Sequence, residues 1–207
     1  MTRIGIALFD GAEELDWAGP WEVLAAWAQQ WPDDGVEVFT LARAGELITC
    51  AKGLRVLPDR TWETAGELDV LVYPGGRGTQ RELKDEGVLD WLRGARGSGT
   101  LMTSVCTGSL VYAAAGLLRD RPATTYWSAL ELLRELEPSV ELRPDDRFVD
   151  SGEVITAAGV SAGIDMALHL VARLHSVERA REVRRYIQRS EERRVGKECR
   201  SRWSPYH

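Results

Sequence analysis

The chain is predicted to be an α/β protein built around a mostly parallel sheet. Three observations carry this. Short apolar runs recur along the 207 residues. Segments with apolar residues at helical spacing separate them. Glycine, proline or a lone polar residue ends several of the runs abruptly. Strands that alternate with helices and are apolar on both faces belong to a parallel sheet covered on both sides.

Residues 4–9 are an apolar run stopped by Asp10-Gly11, and are predicted as the first strand. Trp21, Val23, Leu24, Ala25, Trp27, Ala28 and Trp31 then follow at helical spacing. Gly19-Pro20 marks the expected start of that helix and Pro32 its end. Residues 36–41 form the second strand, and 47–57 read as a hairpin around Lys52-Gly53. Residues 69–73 are a buried strand broken by Pro74-Gly75-Gly76. A helix over 86–96 leads to a strand over 100–103, then a helix over 109–115 closed by Gly116. A helix over 127–136 and short strands at 140–142, 148–149 and 154–156 follow. The last two elements are an apolar helix over 161–175 and a charged one over 177–188.

Composition narrows the classes of function. Hydrophobic residues make up 44% and charged residues 28%, as in globular chains, and the net charge is −6. No basic stripe marks a nucleic-acid surface. The uncharged stretch 97–118 is long enough for a bilayer, but its glycines, threonines and serines fit a strand followed by a buried helix. The cysteines at 50, 106 and 199 show neither paired nor metal-ligand spacing. Met1-Thr2-Arg3 leads straight into a strand, so no signal peptide and a cytoplasmic location are expected. No glycine-rich phosphate motif or His/Cys cluster implies a cofactor or a metal. Residues 1–188 are expected to form one domain. The basic segment 189–207, without periodicity, is expected to be foreign to it or disordered.

In such sheets, sites lie at the carboxyl ends of strands. Asp16, Gly75-Gly76 and Cys106 each follow a predicted strand there. Cys106 stands between a strand and a helix opening on Thr107-Gly108. There it faces free N–H groups and the positive end of the helix dipole, which favour the nucleophilic thiolate. The same position suits a small inert hydrophobe. Asp16 could serve the site or cap the helix behind it. Gly75-Gly76 could form a tight turn or bring backbone N–H groups to a reacting anion. Trp17 could wall a pocket or lie in the core. Glu13 and Glu14 read as solvated loop charges.

The runs Ser104-Val105-Cys106-Thr107-Gly108-Ser109 and Leu15-Asp16-Trp17-Ala18-Gly19-Pro20 resemble the ThiJ/PfpI superfamily. Tyr73-Pro74-Gly75-Gly76, Ala123-Thr124-Thr125 and the segment 158–165 extend the resemblance over about residues 3–188. It implies a flavodoxin-like sandwich, related to class I glutamine amidotransferases, with the cysteine on a nucleophile elbow and the chain a homodimer.

Within the superfamily the pattern is most similar to the isocyanide hydratases. That similarity implies a lyase that adds water to a small isocyanide, with Cys106, Thr107 and Asp16 catalytic. Gly75, Gly76, Tyr126 and Trp17 would form the oxyanion and pocket region. The alternative is a non-catalytic redox or ligand sensor, or a stress protein. Many members carry a histidine where this chain has Tyr126, so a Cys–His hydrolase is not expected. No helix-turn-helix region is expected either, so the partners implied are a small molecule and a second copy, with no nucleic acid and no membrane.

Overall fold

The computed structural model describes residues 1–189. In chain order the elements are β1 (Thr2–Ala7), α1 (Glu14–Gln30), β2 (Val36–Ala42), β3 (Ile48–Thr49), β4 (Arg55–Val56), β5 (Arg60–Thr61) and α2 (Trp62–Ala65). Next come β6 (Val70–Tyr73), α3 (Thr79–Glu82), α4 (Glu86–Gly97), β7 (Leu101–Val105), α5 (Gly108–Ala114) and β8 (Pro122–Ala123). The chain continues with α6 (Leu130–Leu136), β9 (Glu141–Leu142), β10 (Phe148–Asp150), β11 (Val154–Ala157), α7 (Ala162–Leu174) and α8 (Val177–Tyr186).

Seven strands form one sheet in the order β10-β11-β7-β6-β1-β2-β5. Every pairing is parallel except β10 with β11. Strands β6 and β11 are buried at every residue, as strands covered on both faces must be. Helices α1, α7 and α8 pack together as one layer, while α5 contacts α3, α4 and α6. The fold is the mixed α/β class with a mainly parallel sheet that the alternating pattern predicts, and the flavodoxin-like sandwich that the resemblance implies.

One boundary differs markedly from expectation. Helix α1 begins at Glu14, not at Pro20, so Asp16 and Trp17 sit inside its first turns. Pro20 is therefore an interior proline and has no N–H for the Asp16 carbonyl. Gly19 and Pro20 mark the crossing with α7 instead. A Cβ on Gly19 would lie 3.0 Å from Ile164, and one on Gly163 would lie 3.1 Å from the Pro20 ring. The short elements β5, α2, α3 and β8 had no periodicity to betray them.

The uncharged stretch 97–118 runs through β7 and α5. Among the described residues no helix is long and apolar enough to cross a membrane. Residues 190–207, most of the segment set apart by composition, lie outside the described residues. Arg189 still pairs with Asp165 at 2.8 Å.

Candidate active site

Cys106 follows the last residue of β7, and α5 begins two residues later. The tight reversal forces φ to +57°, a left-handed conformation. For a residue with a Cβ this costs on the order of 1–3 kcal/mol. The strain is held in place from both sides. The Cys106 N–H donates to the Ala157 and Ala158 carbonyls at 3.1 and 3.0 Å. Its carbonyl accepts from the Thr125 hydroxyl at 2.9 Å and from Ser109 at 3.1 Å. The elbow thus points the thiol out of the sheet edge, with the residue only 6% exposed.

Asp16 reaches the same point from α1. It is fully buried. Its Oδ2 accepts the Gly75 N–H at 2.9 Å, while the buried Oδ1 has no partner among the described residues. Gly75 must lack a side chain here. A Cβ would stand 2.5 Å from the Thr107 nitrogen, 2.6 Å from its hydroxyl and 2.9 Å from Asp16 Oδ2. Gly76 has the positive φ expected of this turn, +117°.

The electrostatics invert one expectation. Burial pushes the Cys106 thiol up to about 12, and the neighbouring Asp16 charge adds to the rise. The N–H groups of Thr107 and Val160, which hydrogen-bond to the sulfur, oppose this and are outweighed. The resting Cys106 side chain is a thiol, not the thiolate that the helix position suggested, because desolvation exceeds the pull of a short α5. Asp16 is raised to about 7, first by burial and then by Glu13, against the Gly75 N–H and the Cys106 thiol. The two groups therefore titrate as a coupled pair. Near neutral pH they hold between one and two protons.

Thr107 is adjacent, but its hydroxyl is engaged. It accepts from the Gly76 N–H at 3.0 Å and from Thr79 at 3.2 Å. The Gly76 N–H, expected to face a reacting anion, is thus occupied in this state by Thr107. The N–H groups that point at the sulfur belong to Thr107 and Val160.

A cavity of about 650 Å³ opens over Cys106, and its walls include Glu13, Lys52, Arg77, Thr107, Tyr126 and Val160. That volume suits a small ligand. Tyr126 lies where the pocket was expected. Its ring packs on Gly159, where a Cβ would come within 2.6 Å.

An elbow cysteine at positive φ, a buried acid beside it and a parallel sheet behind both now stand together. Residues 2–173 match the family described as DJ-1/PfpI. The chain belongs to the DJ-1/PfpI family. It is 40% identical over 182 residues to an isonitrile hydratase of Pseudomonas putida, covering 87% of this chain and 75% of that one. It is 32% identical over 139 residues to the HTH-type transcriptional regulator GbdR of Pseudomonas aeruginosa, covering 67% of this chain and 37% of the regulator. A crystal structure of a ThiJ/PfpI family protein from Pseudomonas syringae superposes with a TM-score of 0.82 at 29% identity, over 92% of this chain and 76% of that one. The superfamily expected from the motifs is the one found.

Two residues expected in the pocket of this DJ-1/PfpI site do not line the cavity: Gly75, whose N–H goes to Asp16, and Trp17. Trp17 is buried in the core beside Cys50. Successive helical residues point about 100° apart, so a first turn that aims Asp16 at the cysteine turns Trp17 away.

Four residues that sequence reasoning passed over belong to the site. Glu13 borders the cavity and pairs with Lys52 from the β3–β4 hairpin. Val160, at φ +42°, lends its N–H to the sulfur. Thr125 clamps the elbow. The Glu13-Glu14 pair just before the strand-end aspartate was the available signal, set aside as solvent charge. His169 and His175 pair with Asp150 and Asp34, so neither serves Cys106. Among the described residues no cluster of three or more His, Cys, Asp or Glu could hold a metal ion.

Proposed function

We propose that this chain is a cysteine-dependent hydratase that converts a small isocyanide to its N-formamide. The observation that carries the reading is the buried Asp16–Cys106 pair, with Asp16 Oδ1 unpartnered and the thiol held protonated. Isocyanide hydration asks for these two functions on one carbon. The terminal carbon of R–N≡C must gain both a nucleophile and a proton.

With the pair holding one proton, the Asp16 carboxylate takes the Cys106 proton. The Thr107 and Val160 N–H groups stabilise the thiolate so formed. The sulfur bonds to the isocyanide carbon while the Asp16 carboxyl delivers the proton to that carbon. The product is a thioimidate, R–N=CH–S–Cys106. Asp16, now a carboxylate again, deprotonates a water that adds to the same carbon. The nitrogen takes up a proton, the C–S bond breaks, and R–NH–CHO leaves as the thiol is restored. Net consumption is one water. No step needs a histidine, so Tyr126 is compatible with it. General acid–base help of this kind contributes about 10²–10⁴-fold.

The 40% identity to an isonitrile hydratase supports the same reading. The active unit would be residues 1–188 as a homodimer acting on a small molecule, without nucleic acid or membrane. The test is direct: purified protein is given cyclohexyl isocyanide, and the N-formamide is followed by chromatography. Formation of the formamide, abolished by Cys106→Ala, is the expected result. No turnover at high enzyme concentration ends the proposal, and turnover that survives Cys106→Ala ends the covalent route.

A further inference from the structure

The cavity over Cys106 is bordered by a cation, Arg77, that has no partner among the described residues. Three basic residues cluster at this edge of the sheet. Lys52 is taken by Glu13. Arg81 donates to the Asp10 carbonyl at 2.5 Å. Arg77, an exposed residue that borders this cavity and the neighbouring one beside Asp10 and Gly11, has neither hydrogen bond nor ion pair among the described residues.

Arg77 is not on a loose loop. The Gly78 N–H donates to the Gly11 carbonyl at 3.1 Å, and the Thr79 N–H to the Gly76 carbonyl at 3.1 Å. Its side-chain stem lies against Gly11, where a Cβ would stand 3.2 Å from Arg77 Cγ. The residue before it, Gly76, donates to the hydroxyl of Thr107, the residue after Cys106. The backbone that carries Arg77 is thus anchored one residue from a partner of Thr107, the neighbour of Cys106. Glu13 makes its ion pair with Lys52, which also lies 3.8 Å from Glu14, and not with Arg77. An entering anion would meet a planar fork of donors at the wall and the thiol at the floor.

We propose that Arg77 is a specificity-determining residue, and that the substrate is a small isocyanide carrying a carboxylate near its reactive carbon. This rests on the hydratase reading for the chemistry, but not for the binding.

The experiment separates the two. Isocyanoacetate and its neutral ethyl ester are compared as substrates of the wild type, Arg77→Gln and Arg77→Lys. The ratio of kcat/KM for acid over ester is the readout, so general damage to the fold cancels. The same acid is titrated calorimetrically into Cys106→Ala, with and without Arg77→Gln, where no turnover intervenes.

The expected result is a wild type that prefers the acid. Its acid-over-ester ratio falls about tenfold or more in Arg77→Gln, through KM, and is partly restored in Arg77→Lys. Binding to Cys106→Ala should weaken by a similar factor when Arg77 is replaced. Arg77-dependent binding without any turnover would support this inference while removing the hydratase reading. An unchanged ratio with intact turnover of both compounds would overturn the inference and leave the hydratase reading standing. Binding that is absent, or indifferent to Arg77, also overturns it.

Discussion

Two aspartates bracket α1, one buried and one half-buried, and they have opposite fates. Asp34, just past the helix's end, accepts from Arg179 Nε at 2.6 Å and from the Trp27 indole at 2.6 Å, with His175 at 3.2 Å. Burial pushes its carboxyl up, but the hydrogen bonds from Arg179 and Trp27 more than offset it, and the carboxyl ends below its ordinary range. Asp16, in the first turn, receives one backbone N–H and the Cys106 thiol, with no cation bonded to it among the described residues. Its carboxyl ends at about 7. The difference is the presence of a dedicated cation. An aspartate supplied with one is a fastener; on the proposed mechanism, an aspartate denied one beside a thiol carries the proton.

Breaking each in turn should give opposite phenotypes. The largest effect falls on catalysis. Asp16→Asn should cut kcat/KM for formamide production by about 10²–10⁴-fold, as loss of the general acid–base group requires. Asp34→Asn should leave that rate unchanged.

The next effect is on stability, with the signs reversed. Asp34→Asn removes a nearly buried ion pair and should cost about 1–3 kcal/mol in denaturant unfolding. Because the folded carboxyl of Asp34 is depressed, its contribution is present above the unfolded carboxylate range and is lost as pH falls. Asp16 works the other way. Its folded carboxyl is raised from 3.8 to about 7, so the unfolded chain ionises first as pH rises. The wild type should therefore lose stability relative to Asp16→Asn between about pH 4 and pH 7, by on the order of 1–4 kcal/mol. A parallel pair of stability curves would contradict the raised carboxyl.

Smaller effects sharpen the geometry of the elbow. Gly75→Ala places a methyl 2.5 Å from the Thr107 nitrogen and should lower kcat by about tenfold or more while the chain still folds. Thr125→Val removes the hydrogen bond to the strained Cys106 carbonyl and should cost about 1 kcal/mol of stability with a modest fall in kcat. Thermal unfolding and steady-state kinetics read both.

Much of this was legible beforehand, for physical reasons. The strands are continuous apolar runs, so the parallel sheet and the convergence of Asp16, Gly75 and Cys106 at its carboxyl edge followed from pattern. What the pattern could not carry was rotation and charge. The start of α1 at Glu14 decides that Asp16 faces the cysteine and Trp17 faces the core, and Gly19-Pro20 masked that start. The thiol's protonation depends on how deeply β7 buries it, which the helix-dipole argument does not contain. Val160 and Lys52 enter from loops, and only the tertiary fold brings Val160 to the sulfur and Lys52 to the cavity wall.

The coupled pair is the centre of the account, and its pH–rate profile tests it most directly. Formamide production from cyclohexyl isocyanide would be measured from pH 5 to pH 9 for the wild type and Asp16→Asn. The account predicts that wild-type kcat/KM rises through about pH 7, as the pair gives up its first proton, and that the residual activity of Asp16→Asn lacks this limb. A wild type without formamide at any pH, or an Asp16→Asn variant with the same limb and the same rate, would contradict it.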